Sequence, residues 1–205
     1  MIKAKSAFFK MLTLILMFAA LLLLADALRI YAKASLAQIL LEQSWNETLQ
    51  DGLDHKPWSW ADTWPIGRLQ IYRGKQVIHD DFVLFGSTGQ SLAFGPGHVS
   101  ASRMPGDKGT IIIGGHRDTH FKRVGELLPG DLIRLQDRTG AWREFRFAFA
   151  EIVSVAERPL SFDLSDDRLL LVTCYPLDAL GSDGDERWLL AALPETCHHL
   201  NCIDS

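Results

Sequence analysis

Cys174 closes the apolar run Leu170-Leu171-Val172-Thr173 and is followed by Tyr175-Pro176. A proline two residues on stops a strand, which puts the thiol at a sheet edge near solvent. Nucleophilic cysteines need that partial exposure. His116 follows Gly114-Gly115 at the end of a second apolar run, 110–113. Imidazole changes charge near neutral pH, so a histidine there can carry a proton. Arg187 opens a third apolar run, 13 positions after Cys174. A guanidinium fixed at that point can stabilise a developing oxyanion. Thiol, proton carrier and cation are residue types suited to nucleophilic catalysis. Each also has an ordinary reading: an inert core thiol, a structural histidine, an exposed arginine paired with Asp185 or Glu186.

The elements that must position these residues read as strands and turns. Residues 66–72, 76–85, 110–115, 169–174 and 187–193 are short apolar or alternating runs. Phe145, Phe147 and Phe149 alternate with Arg146 and Ala148, the period of a strand with one buried face. Pro129-Gly130-Asp131 fits a turn in which proline sets φ and glycine takes a positive φ. One brief helical piece covers 122–127. The pattern predicts an all-β domain closed, or nearly closed, into a barrel. Runs 169–174 and 187–193, joined by the polar loop 177–186, would bring Cys174 and Arg187 to the same end of the sheet.

Ahead of that domain, Lys3, Lys5 and Lys10 precede an apolar stretch over 11–25. With residues 7–9 it approaches the length of a membrane-spanning helix, and the lysines predict a cytoplasmic N-terminus. Ala25-Asp26-Ala27 also has the form of a signal-peptide cleavage site. The helical pattern that continues over 29–49, with no breaker before Gly52, favours a retained anchor and stalk. The segment 52–65 carries Trp58, Trp60 and Trp64, too apolar for a free linker, and is expected to pack on the domain surface. The expected organisation is a transmembrane signal anchor at 1–28, a helical stalk at 29–57, a catalytic domain at 58–197 and a tail at 198–205.

Composition bounds the rest. The 205 residues suffice for one domain plus an appendage, and 47% apolar with 22% charged is globular composition. A net charge of -4 offers no footprint for nucleic acid. Of three cysteines, Cys197 and Cys202 lie close enough in the tail to pair in an exported domain, leaving Cys174 free.

Gly-His at one strand end, Thr-Cys at another and an arginine opening the next strand resemble the sortases. The segment Gly115-His116-Arg117-Asp118-Thr119, with Phe121 and Gly130-Asp131 beyond it, is similar to the histidine segment of many sortases. The resemblance covers roughly residues 64–193. The Trp-rich segment and the continuation Asp118-Thr119-His120 are similar to the sortases of Gram-negative bacteria, the GN class. Leu170 departs from the frequent Thr-Leu-x-Thr-Cys motif, leaving Thr173 and Cys174 in place. The resemblance implies a closed barrel of about eight strands with short helices. It implies a cysteine transpeptidase without cofactor, with Cys174 as nucleophile, His116 as proton shuttle and Arg187 on the oxyanion. Thr173 would line the substrate threonine, and the loops 156–168 and 175–186 would wall the groove. The substrate would be an LPxTG-type sorting signal on a surface protein, the second partner an amine acceptor. The domain would stand outside the cytoplasm, in the periplasm of a Gram-negative cell.

Other classes stay in view. A cysteine hydrolase would use the same Cys–His pair, and an exported barrel could serve as a binding module. His116-x-x-x-His120 and Cys197-His198-His199 with Cys202 offer metal-ligand residue types, though the first lacks the glutamate of a zincin. No metal is expected. Leu193-Pro194-Glu195-Thr196 spells most of a sorting signal, but Cys197 replaces the glycine and the match is read as coincidence.

Overall fold

The computed structural model describes residues 2–156, 164–178 and 184–195. Two compact units divide the chain, Met1–Ile39 and Leu40–Ser205. The helix α1 runs over Ile2–Asp51 and holds the one span among the described residues long and apolar enough to cross a membrane. In the first unit its apolar side chains stand bare, Leu14 at 66% and Leu23 at 74% exposure.

The second unit begins within the same helix. Leu41, Trp45 and Thr48 recur at helical spacing and are buried, and the Trp45 indole N–H donates to Gln136 Oε1 at 3.2 Å. The compact unit thus starts at Leu40, while the composition of the sequence shifts only near Trp58. In the Trp-rich segment, Trp64 stacks on Phe85 at 4.5 Å and Trp58 meets Phe94 edge-on at 5.1 Å. Trp60, by contrast, is 79% exposed, so the expected packing holds for two of the three.

Eight strands close into a barrel: β1 (Pro65–Arg73), β2 (Gln76–Phe85), β3 (Gly97–His98), β4 (Thr110–Gly114), β5 (Leu132–Gln136), β6 (Trp142–Ser154), β7 (Arg168–Cys174) and β8 (Glu186–Pro194). Their order around the wall is β1-β2-β3-β4-β7-β8-β6-β5. Among the described residues, a short helix α2 (Gly89–Leu92) and a single 3-10 turn (Val124–Glu126) are the other helical pieces. The wall closes through the pairing of β5 with β1, and the interior fills with Leu69, Ile71, Ile111, Ile113, Ile133, Phe145, Leu169, Leu171 and Leu190. A second cluster, Ile112, Leu170, Leu189 and Ala191, lies on the other face of the same strands. Burial on both faces is the reason β4, β7 and β8 read as unbroken apolar runs rather than as alternation.

The alternation of Phe145, Phe147 and Phe149 breaks. Phe147 pairs with Ala192 and Phe149 with Ala191, so Ala148 is an extra residue in β6, a bulge. The bulge reverses the phase of the strand, and Phe149 is 49% exposed while Phe145 is fully buried. Between β5 and its predecessor, Gly130 takes φ +95 and the Asp131 N–H donates to Leu128 O at 2.9 Å, the turn expected around Pro129.

Candidate active site

Strand direction brings the chemistry together. β4 and β7 are parallel neighbours, with Gly114 opposite Val172, so their C-terminal ends emerge on one rim of the barrel. His116 leaves the first and Cys174 ends the second. β8 runs antiparallel to β7 and starts at that rim, with Arg187 as the register partner of Cys174. All three residues line one groove of about 600 Å³, with Gly115, Thr173 and Leu164 beside them. Ser87, Leu92, Val99 and Ala101 line it as well.

Cys174 is a free thiol of intermediate exposure. Backbone pairing continues past it, since the Tyr175 N–H donates to Glu186 O at 3.1 Å. Tyr175 also stacks on Trp188, with ring centroids 6.2 Å apart. Arg187 is half-buried and donates from Nη1 to the backbone oxygens of Gly184, at 2.7 Å, and Glu186, at 2.8 Å. Among the described residues it pairs with neither the Asp185 nor the Glu186 carboxylate. Two neutral acceptors orient the guanidinium, and among the described residues no carboxylate pairs with it, as suits an oxyanion site.

Thr173 is buried, and its hydroxyl donates to Gly115 O at 2.8 Å. The Gly115 N–H donates to Val172 O at 3.1 Å, so β4 and β7 stay paired to the residue before His116. The turn beyond is closed on His116 itself, whose carbonyl accepts from Phe121 N–H at 2.9 Å and Thr119 N–H at 3.3 Å. Phe121 is fully buried beneath Gly115, where an added Cβ would come within 2.7 Å of its ring. Only glycine lets that ring under the strand end, and the imidazole is left exposed above it.

His120 turns away from the groove and pairs through Nδ1 with Asp81 Oδ2 on β2, at 2.9 Å. His79 lies 3.3 Å from the same oxygen, and burial holds it below the ordinary histidine range despite that carboxylate. His116 and His120 therefore do not act as a pair. The Cys197, His198 and Cys202 cluster lies outside the described residues, as do 157–163 and 179–183 within the two loops expected to wall the groove. Leu193 and Pro194 end β8, and Glu195 holds Arg146 at 2.7 Å, so those letters of the apparent sorting signal belong to the barrel; Thr196 lies outside the described residues.

Sequence reasoning missed the groove-lining residues Ser87, Leu92, Val99 and Ala101, and Arg117. Val99 and Ala101 adjoin a two-residue strand too short to show a period. Arg117 reads as an ordinary charged residue beside the histidine, yet it is 5% exposed. Its Nη1 donates to Pro176 O at 2.7 Å. The signal for its burial was absent, because local pattern does not reveal what a loop arginine touches.

Comparison with known proteins gives one answer. The sortase domain family matches residues 71–195. Sortase D of Bacillus subtilis (strain 168) is 34% identical over 103 residues, 49% of this chain and 50% of that protein, so the match spans half of the relative's length. Among solved structures, the sortase D5 transpeptidase of Clostridium perfringens superposes with a TM-score of 0.55 at 22% identity, covering 75% of this chain and 88% of that one. Sortase C-3 of Streptococcus pneumoniae gives 0.55 at 21%, covering 80% and 84%. These structures share the barrel. With the family's domain matched over more than half of its length, the chain belongs to the sortase family.

Proposed function

We propose that this sortase is a cysteine transpeptidase acting on an LPxTG-like sorting signal. The observation that carries the reading is the convergence of Cys174, His116 and Arg187 on one groove at one rim of the barrel. In this mechanism the Cys174 thiolate attacks the carbonyl carbon of the signal's threonine. The electron pair moves to the carbonyl oxygen, where Arg187 meets the new charge. The tetrahedral adduct collapses, the C–N bond to the following residue breaks, and His116 protonates the departing amine. A thioester remains. An incoming amine then attacks it, gives its proton to His116, and releases the Cys174 thiolate with a new amide bond formed. Thr173 flanks the bound threonine.

An N-terminal helix of suitable length and composition supports a membrane anchor, and Lys3, Lys5 and Lys10 support a cytoplasmic N-terminus with the barrel outside. We read residues 58–197 as the catalytic domain, within the compact unit that begins at Leu40. The finer placement in the class found in Gram-negative bacteria, and with it the periplasm, rests on the Trp-rich segment and Asp118-Thr119-His120. The test is peptide cleavage with and without an added amine. Transfer product that rises with the amine and vanishes in Cys174→Ala supports the reading. Release of acid alone, unaffected by amine, replaces it with a hydrolase.

A further inference from the structure

Arg117 is where the molecule buries a charge without an obvious need. Its side chain is 4% exposed, inside a turn that an apolar residue would fill without desolvating a cation. Its partners are the Pro176 carbonyl, at 2.7 Å, and the largely exposed Asp118 carboxylate, 3.5 Å from Nε. The connection is specific in sequence terms: Arg117 follows His116, and Pro176 lies two residues after Cys174. On the other side of each, Thr173 donates to Gly115 O, so the residues flanking the histidine grip the residues flanking the cysteine. The two grips differ in kind. The Thr173 bond lies within the β4–β7 pairing, whereas Arg117 supplies a directional hydrogen bond beyond the strand ends, where Leu177 also packs against Gly125 of the 3-10 turn.

We propose that Arg117 is a positioning residue that fixes the His116 turn against the segment leaving Cys174 and so sets the imidazole over the thiol. The proposal rests on the Cys174–His116 pair argued above. A planar guanidinium anchored on a backbone carbonyl holds direction as well as distance, and displacements of an ångström in such a pair are costly to rate.

The test reads the pair itself and needs no peptide: the rate at which iodoacetamide alkylates Cys174, followed by intact mass, with Cys174→Ala as blank. Arg117→Met is expected to slow labelling about tenfold, in the same direction as His116→Ala. Arg117→Lys, which keeps one charged donor, is expected to recover most of the rate, within about threefold of the unsubstituted chain. Thermal melting of each variant separates loss of fold from loss of alignment. Labelling of Arg117→Met at the unsubstituted rate, with His116→Ala slowed, overturns the proposal and leaves the pair standing. Unslowed labelling in His116→Ala removes the pair, and this proposal with it. Should Arg117→Met fail to fold, Arg117→Gln, which removes the charge and the fork, takes its place: slowed labelling at an unchanged melt supports the role, and the unsubstituted rate overturns it.

Discussion

Cys174 and Arg187 are register partners at the ends of β7 and β8. The Tyr175 N–H donates to Glu186 O, so 175/186 is a hydrogen-bonded pair and 174/187 the adjacent non-hydrogen-bonded one. In such pairs the side chains stand closest and share a face of the sheet. The backbone ladder thus presents a cation beside the thiol, with no loop needed to deliver it.

Arg187→Ala is accordingly expected to lower kcat/KM for peptide transfer about 100-fold, the range seen when a preorganised oxyanion donor is removed. Arg187→Lys should fall between, because it keeps charge and loses the fork. Stability should stay within about 0.5 kcal/mol, since the lost bonds are exposed. Steady-state kinetics and urea melts check both parts.

Thr173→Val removes a buried donor and leaves Gly115 O without it, at the point where β4 and β7 end. A cost of about 1–3 kcal/mol is expected, with Thr173→Ser nearly neutral. Urea unfolding distinguishes the two. A valine variant as stable as the serine one would mean the hydroxyl is not what joins these strands.

Gly115→Ala forces a methyl to within 2.7 Å of the Phe121 ring. Overpacking at a buried site should destabilise by about 1–3 kcal/mol and displace the His116 turn, so activity should fall more than stability predicts. Comparing turnover with the fraction folded, at one temperature, tests this.

Burial sets a pH dependence. His98, 1% exposed, donates from Nε2 to Arg103 O at 2.9 Å, and burial pushes its pKa below the ordinary 6.5 more than that carbonyl raises it. The unfolded chain then binds the proton more readily than the folded one. The neutral ring's contribution is complete above 6.5 and is lost as pH falls below it. His79 acts in the same direction. Melting temperature should decline from pH 7.5 to 5, and the decline should be shallower in His98→Gln.

Much of this arrangement was legible in the chain. β2 was bounded to the residue, and β7 and β8 to within one, because burial on one face or both leaves alternation or an apolar run. The geometry of Cys174 and Arg187 followed from a loop joining adjacent strands. What stayed hidden is non-local. The bulge at Ala148 depends on how β8 pairs with β6, and inverts a periodicity that looks regular in sequence. Trp45 lies in a helix that reads as a stalk, and only its burial and its bond to Gln136 on β5 show that it packs on the barrel. Gly97-His98 is too short to carry any pattern, although it supplies the link between β2 and β4.

The central claim is a thioester on Cys174, and intact mass spectrometry of the chain mixed with an LPxTG-type peptide tests it most directly. The account predicts a mass increment equal to the acyl fragment, mapped to Cys174 and absent in Cys174→Ala. Adding an amine should discharge it as a ligated product. Cleavage of the peptide with no adduct on Cys174, persisting in Cys174→Ala, would contradict the account.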